Sequence, residues 1–379
     1  MDLTLTDEEE TFRDEVRTWL SENHPGDEPD GDDTAKWEFS VDWQRKMHAD
    51  GWAGVAWPKE YGGRGASLLE QTIFYSEMAE ANVPRPANIL GLVMGGPVVM
   101  AHGDESQRER FLEPILSAEE IWCQGFSEPE SGSDLASLKT KAVKDGDGWR
   151  INGQKVWTTL GHVAKWCMLV ARSDFDAPKH KGLTYFILDM EQDGVEVRPL
   201  VQITGEAEFN EVFFEDAYVP DENVIGGVGN GWNVAITTLM NERAGLGASA
   251  AVGLSQDLHA LVELINERGL GNDPLMRQKV AKLRMSTEAL RLGSMRSLTQ
   301  VLKTGIPGPE GSIAKLQWSS TNQALTELAT DVLGAEGLEK DDEWTYKMLR
   351  SRANSIEGGT TEVLKNIVAE RVLGLPKLR

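Results

Sequence analysis

Cysteine is nearly absent from this chain. Among 379 residues only Cys123 and Cys167 occur. Two are too few for a disulfide framework, so they read as buried thiols of a reducing compartment. Positive charge is scarce as well: 38 Lys and Arg face 61 Asp and Glu, a formal net charge of −23. So acidic a surface repels nucleic acid and anionic lipid, and a polyanionic ligand must find local donors rather than a general field. Most of these carboxylates read as a solubility device. No apolar run is long enough to span a bilayer. The richest, residues 87–101, holds Pro97 and three glycines and reads as a buried helix and turn. The opening MDLTLTDEEETFRDEV is acidic and amphipathic, unlike a secretory leader. The expectation is a cytoplasmic protein with no nucleic-acid partner and no membrane insertion.

Several catalytic signatures are also missing. The six histidines make no HExxH or other metal spacing, so no metal is expected. There is no Walker A sequence and no Gly-x-Ser-x-Gly elbow. The glycines of residues 226–231, GGVGNG, miss the GxGxxG spacing, and no βαβ unit follows. They read as a flexible loop entering a helix.

What is present is a large, patterned chain. Hydrophobic residues make up 40%, enough to bury a core across two or three domains. Thr6 before Asp7-Glu8-Glu9 suits a helix start, and Phe12, Val16, Trp19 and Leu20 then recur at helical spacing. Residues 25–35 read as a polar loop, and 43–57, 69–80 and 105–116 as helices. From about 121 to 225 the period shifts towards two. Residues 149–151, 166–171, 183–188, 195–201 and 211–214 read as strands between Asp-Gly and Gly turns. Helical pattern returns at 232–246, 249–268, 273–304 and 311–333, with a last helix from about 361. Helices, then strands, then helices predict an α+β protein: a helical domain over 1–120, a β-domain over 121–230 and a helical domain over 231–379.

Two blocks in the middle region stand out. Residues 121–142, IWCQGFSEPESGSDLASLKTKA, give a polar, Gly-bearing loop. Residues 152–159, NGQKVWTT, place a Trp-Thr pair just after it. Small residues let backbone N–H groups approach phosphates, and an aromatic wall can lie beside a flat ring. Alone, SEPESGSD is a solvated turn; paired with NGQKVWTT it reads as a site for a flat heterocycle carrying phosphates.

Two carboxylates suit a general base. Trp232, Ile236, Leu239, Arg243 and Leu246 share one helical face, and Glu242 flanks that stripe. A charge there implies a function or a partner, the alternative being an ion pair or a snorkelling Arg243. Glu357 lies in Ile356-Glu357-Gly358-Gly359-Thr360-Thr361-Glu362, where its alternative is a solvated loop carboxylate.

The combination of SEPESGSD and NGQKVWTT resembles the flavin-binding middle domain of the acyl-CoA dehydrogenase family. The three-part plan and the run FNEVFFEDAYVPDENVI (209–225) extend the resemblance over nearly the whole chain. It implies an N-terminal helical domain, a middle β-domain and a C-terminal four-helix bundle, with FAD as cofactor. It implies α,β-dehydrogenation of an acyl-CoA to trans-2-enoyl-CoA, with electrons passed to electron-transfer flavoprotein. Ser127-Glu128-Pro129 matches the family's Thr-Glu-Pro motif at the flavin's pyrimidine edge, with Phe126 beside it. Ser133, after Gly132, matches the position meeting the pyrophosphate or the coenzyme A chain. Trp157 and Thr159 match the pair beside the reactive ring.

The resemblance also implies a flavin site completed by a neighbouring subunit, hence a homotetramer or a heterotetramer with a related chain. Residues 331–337, DVLGAEG, resemble the family's Gly-rich turn over the adenosine half, at Gly334 and Gly337. Asp331 replaces the usual Gln and Ala335 a common Gly. Arg268 and Gln278 resemble the pair on the diphosphate, with Arg268 one residue closer to its Gly than usual. Leu239-Met240-Asn241-Glu242-Arg243 resembles the isovaleryl and long-chain members, whose base precedes an Arg. This favours Glu242 as base, with Arg243 binding the acyl-CoA. Medium- and short-chain members carry their base immediately before Gly-Thr. That position is Gly358 here, and Glu357 falls one residue early. Gly358 then serves through its backbone N–H, and Thr360 and Glu362 match residues near the flavin. Three rivals stay open: a structural subunit of a heteromeric dehydrogenase, an oxidase of the same fold, and a plain acyl-CoA-binding protein. The acyl group is open between fatty, branched, aromatic and steroid-like.

Overall fold

Helix α1 (Asp7–Asn23) starts where the sequence places it. Thr6 Oγ1 accepts the Glu9 N–H at 3.3 Å, and the Glu9 carboxylate accepts the Thr6 N–H at 2.7 Å. This reciprocal cap satisfies two N–H groups that a helix start otherwise leaves bare. Phe12, Val16 and Leu20 then form its buried stripe. The structure, a computed structural model, describes residues 5–29, 33–244, 246–304, 308–339 and 342–377, with backbone only at 242–244, 246–249 and 302–304.

After α1 come α2 (Asp33–Ala49), α3 (Leu68–Glu80), α4 (Gly96–His102) and α5 (Glu105–Leu116). Eight strands follow: β1 (Trp122–Gly125), β2 (Lys141–Asp145), β3 (Gly148–Thr159), β4 (Trp166–Arg172), β5 (Leu183–Asp189), β6 (Val195–Leu200), β7 (Phe209–Pro220) and β8 (Val224–Ile225). The last helices are α6 (Gly231–Ala244), α7 (Leu246–Glu267), α8 (Pro274–Thr304), α9 (Gly311–Leu333), α10 (Glu343–Ser351) and α11 (Thr361–Ile367). Helices, a sheet and helices succeed one another as the sequence predicts. By contacts the chain divides into two units. One holds residues 1–24, 67–83 and 243–379; the other holds 25–66 and 84–242. Among the described residues no helix is long and apolar enough to cross a membrane.

The first unit is helical. Leu254, Leu258 and Leu261 of α7 pack with Leu283 and Leu290 of α8 and Leu325 of α9. Helix α10 is not legible in the apolar pattern; Asp342 caps it by accepting the Trp344 and Thr345 N–H groups at 2.9 and 3.1 Å.

The second unit is built on one sheet ordered β6-β7-β3-β2-β4-β5-β8, with β1 also paired to β4. The β1–β4 and β2–β4 pairs are parallel and the rest antiparallel. The strands expected at 149–151 and 211–214 are each much longer, because β3 and β7 pair along nearly their whole length. Register shifts between Ile151 and Gly153 and between Lys155 and Thr158 break the alternation that would have revealed them. Cys123 and Cys167, isolated in sequence, are register partners on β1 and β4, both fully buried. Burial, then the hydrogen bond to Cys167, pushes the Cys123 thiol well above its ordinary pKa.

Three expectations need correction. The polar loop of 25–35 is shorter, because α2 is already helical at Asp33. The helix expected at 43–57 stops at Ala49, where Gly51 turns at φ +76°. Trp52 and Trp57 lie buried in the turns that follow, and the Trp57 indole N–H donates to the Leu92 carbonyl at 2.9 Å. On α6 the face buried in its unit is Gly231, Val234, Ala235 and Thr238, whereas Ile236 is exposed. The stripe of Trp232, Ile236 and Leu239 is therefore not the packed one. Gly231 explains the choice: a Cβ there would meet the Thr184 backbone at 2.5 Å, so α6 begins in direct contact with β5.

Candidate active site

The loop between β1 and β2 is organised from beneath. Glu128 and Ser131 exchange backbone hydrogen bonds, both at 3.0 Å, in a tight turn. The buried Glu128 carboxylate accepts the Lys139 N–H at 2.6 Å, the Thr140 N–H at 2.9 Å and the Lys155 ammonium at 2.9 Å. Lys155, fully buried on β3, donates again to the Phe126 carbonyl at 2.9 Å. Burial pushes the Glu128 carboxyl up, but Lys155 and the hydrogen bonds hold it below its ordinary range. Burial lowers the Lys155 ammonium, against the pull of Glu128. The Val156 N–H closes on the Ser127 carbonyl at 2.9 Å. Phe126 is buried edge-to-face against Tyr185 at 6.0 Å. Gly132 and Ser133 are left exposed at the tip, and their N–H groups donate to nothing among the described residues.

One strand away, β3 bends. At the second register shift Trp157 adopts φ +60°, a left-handed backbone that an L-residue with a large side chain rarely holds. The indole is 59% exposed and only its flank is covered, edge-to-face on Phe209 at 5.9 Å. Thr159 is half-buried at the strand end. The structure thus brings Phe126, Ser127, Gly132, Ser133, Trp157 and Thr159 onto the one loop-and-strand framework that Lys155 ties together.

Helix α6 approaches the sheet through Thr238, whose hydroxyl lies 3.2 Å from the Tyr185 hydroxyl on β5, and meets the end of α4 through Thr237, 2.8 Å from His102 Nε2. The Glu242 backbone continues α6, one turn beyond Thr238. The side chains of Glu242 and Arg243 lie outside the described residues.

The first unit holds the remaining candidates in two groups. Gly358 and Gly359 turn at φ +61° and +103°. The buried Lys315 fixes this turn, donating to the Asn354 and Gly359 carbonyls at 2.5 and 3.0 Å. Thr360 caps α11 by accepting the Val363 N–H at 3.3 Å, and Glu362 is exposed one residue into the helix. Glu357 pairs with Arg350 at 3.0 Å and accepts from Asn354 at 2.8 Å. In the second group the turn after α7 meets the end of α9: Arg268 forms an exposed ion pair with Glu336. Gly334 turns at φ +63°, and Gly337 is buried with its carbonyl accepting from Thr345 at 3.0 Å. Gln278 stands exposed on α8, its side chain making no hydrogen bond among the described residues.

Three family models match successive parts of the chain: the N-terminal domain of acyl-CoA dehydrogenase over residues 6–119, the middle domain over 123–217 and the C-terminal domain over 229–373. The chain belongs to the acyl-CoA dehydrogenase family. It is 40% identical to acyl-CoA dehydrogenase IpdE1 of Mycobacterium tuberculosis, over 97% of this chain and 98% of that protein. Its fold matches the Tcur3481-Tcur3483 steroid ACAD with a TM-score of 0.86 at 28% identity, over 100% of both chains. It also matches the ChsE4-ChsE5 complex from Mycobacterium tuberculosis, with a TM-score of 0.84 at 27% identity and the same coverage. As a member of this family the chain is an acyl-CoA dehydrogenase, an oxidoreductase.

Sequence reasoning missed the groups that hold the site from below. Lys155 carried a usable signal: it sits at the inward parity of a strand that buries Trp149 and Ile151, and a lysine there needs an acid. Lys315, on a helix, carried none, because its acceptors are main-chain carbonyls.

Proposed function

We propose that this chain uses FAD to desaturate an acyl-CoA thioester to trans-2-enoyl-CoA, passing the electrons to electron-transfer flavoprotein in the cytoplasm. The observation that carries this reading is Trp157. An exposed indole on a strained backbone persists only where its surroundings over-determine it, and such strain clusters at functional sites. On the same loop-and-strand framework the exposed Gly132–Ser133 tip offers N–H donors with no acceptor among the described residues, which a phosphate-bearing ligand needs in so acidic a chain. A flat ring with a phosphate tail fits both. Phe126 and Ser127 would border its pyrimidine edge, Trp157 and Thr159 its reactive side, and Ser133 the pyrophosphate or the coenzyme A chain. Bound there, FAD supplies a two-electron acceptor for hydride leaving the β-carbon.

The chain's own residues do the rest. The Glu242 carboxylate takes the α-proton, and the Gly358 N–H faces the thioester oxygen where enolate charge develops. Arg243 binds the acyl-CoA. The Arg350 and Asn354 contacts of Glu357 support Glu242 as the base. Thr360 and Glu362 lie near the flavin in this reading, and Arg268, Gln278, Gly334 and Gly337 serve the diphosphate and adenosine of a flavin held by a neighbouring subunit.

The assembly is a tetramer. A heterotetramer with a related chain is favoured over a homotetramer by two observations. Arg268 is engaged by Glu336, and the Tcur3481-Tcur3483 and ChsE4-ChsE5 relatives are two-chain complexes by name. The first of those names also points to a steroid-derived acyl group as the substrate class here.

The test is anaerobic titration of the purified protein, alone and with a related subunit, following the oxidised flavin band. Fatty, branched, aromatic and steroid-side-chain acyl-CoAs form the panel. We expect a yellow protein bleached by a steroid-side-chain thioester. A preparation that stays colourless and refuses FAD in both forms overturns the reading, and bleaching by short fatty thioesters alone overturns the substrate class.

A further inference from the structure

The loop that carries Ser127 and Ser133 and the strand that carries Trp157 are separate segments, and a rigid planar ligand needs them at one fixed spacing. We infer that the buried Lys155–Glu128 pair sets that spacing, making both side chains positioning residues of the cofactor site. The inference rests on the flavin reading above.

Four hydrogen bonds converge on these two side chains. Lys155 reaches the loop's first carbonyl at Phe126 and the Glu128 carboxylate. Glu128 gathers the N–H groups of Lys139 and Thr140, where the loop rejoins the sheet. The beginning, turn and end of the loop are therefore all fastened to one point of β3. Two residues farther along that strand stands Trp157 at φ +60°.

An ion pair is an odd choice for adhesion alone. Desolvating two charges is expensive, and apolar residues of similar volume often hold a core as well or better. Apolar contact is not directional, however, and leaves neighbouring surfaces free to slide. The Lys155 donors and the Glu128 acceptors admit one arrangement, and in a buried setting a broken bond is costly. The pair therefore trades stability for a defined distance between loop and indole. It also supplies part of the surroundings that keep Trp157 in its strained conformation.

Hydrogen–deuterium exchange on the wild-type chain, with any companion subunit and stripped of cofactor, gives the first test. The Lys139, Thr140 and Val156 amides should already be protected without FAD. Protection appearing only when FAD is added would overturn the inference, because the ligand would then be ordering the loop. The second test compares wild type with Lys155→Met/Glu128→Gln, which removes both charges together. The double variant should melt cooperatively and keep its circular dichroism. It should bind FAD more weakly by about tenfold or more, as expected when preorganisation is lost. At saturating FAD its flavin potential should be shifted. A folded double variant with wild-type affinity and potential would reduce the pair to a structural role and sink the proposal. A variant that fails to fold leaves the exchange experiment to decide. Wild type that takes no FAD at all would instead refute the flavin reading, while its amide protection would still report on the lock.

Discussion

Arg350 holds Glu357. Its guanidinium reaches both carboxylate oxygens, at 3.0 and 3.3 Å, and Asn354 adds a third bond at 2.8 Å. A base must be free to swing onto the α-carbon and to accept a proton there. A carboxylate pinned by a cation two turns back is poorly placed to do either.

The two candidate bases therefore separate by mutation. Glu242→Gln should keep its flavin colour and lose thioester-driven bleaching by about a hundred- to ten-thousand-fold, the range a general base contributes. Glu357→Gln should bleach readily and lose about 1 kcal/mol of stability through its weakened contacts. Stopped-flow absorbance under anaerobic conditions reads the first effect and urea unfolding the second. Normal bleaching of Glu242→Gln would hand the role to Glu357.

Trp157→Gly should move fold stability and cofactor affinity in opposite directions. Glycine accepts φ +60° without strain, and the exposed indole contributes little burial. The cofactor-free protein should gain about 1 kcal/mol, while FAD binding weakens for want of the aromatic wall. Thermal melts of the stripped protein, paired with FAD titrations, check both signs. A less stable variant would mean that the left-handed backbone is not a strained state.

The acid limb of stability should carry a contribution from Glu128. Its folded pKa lies below the ordinary 4.5 despite burial, chiefly because of Lys155. The unfolded chain therefore takes up this proton first as pH falls. The stabilisation is complete above about 4.5 and is lost progressively down through the depressed folded value. Urea midpoints between pH 7 and pH 3 should fall less steeply for Glu128→Gln than for wild type. Parallel curves would show that Glu128 does not titrate with folding.

Glu336→Gln should release Arg268. The pair is exposed, so the melting temperature should barely change. If Arg268 serves the diphosphate across a subunit interface, the assembled oligomer should hold FAD more tightly once the competing acid is gone. Unchanged affinity in equilibrium dialysis would remove Arg268 from the site.

Much of the architecture was legible because long elements declare their period. Helix α9 at Gly311–Leu333 and helix α5 at Glu105–Leu116 fall where the apolar spacing puts them. Thr6, with Glu9 three residues on, marked the start of α1 without any tertiary information. Strands β3 and β7 were seen only in fragments, because bulges break the alternation that identifies a strand. The face of α6 was misjudged for a different reason. Apolar content alone does not say which side meets the sheet, and Gly231 against the Thr184 backbone decided it.

By itself the sequence determined the order of helices and strands, the loop chemistry of SEPESGSD and the presence of an indole at position 157. These follow from local periodicity and residue type, which a linear string contains in full. Only the tertiary structure decided that Lys155 lies under Glu128, that Cys123 faces Cys167 and that Glu357 is bound by Arg350. The pairings of Lys155 and Cys123 join distant segments, and that of Glu357 depends on the turn after α10. None can be read from spacing, because strand register and turn geometry set the partners.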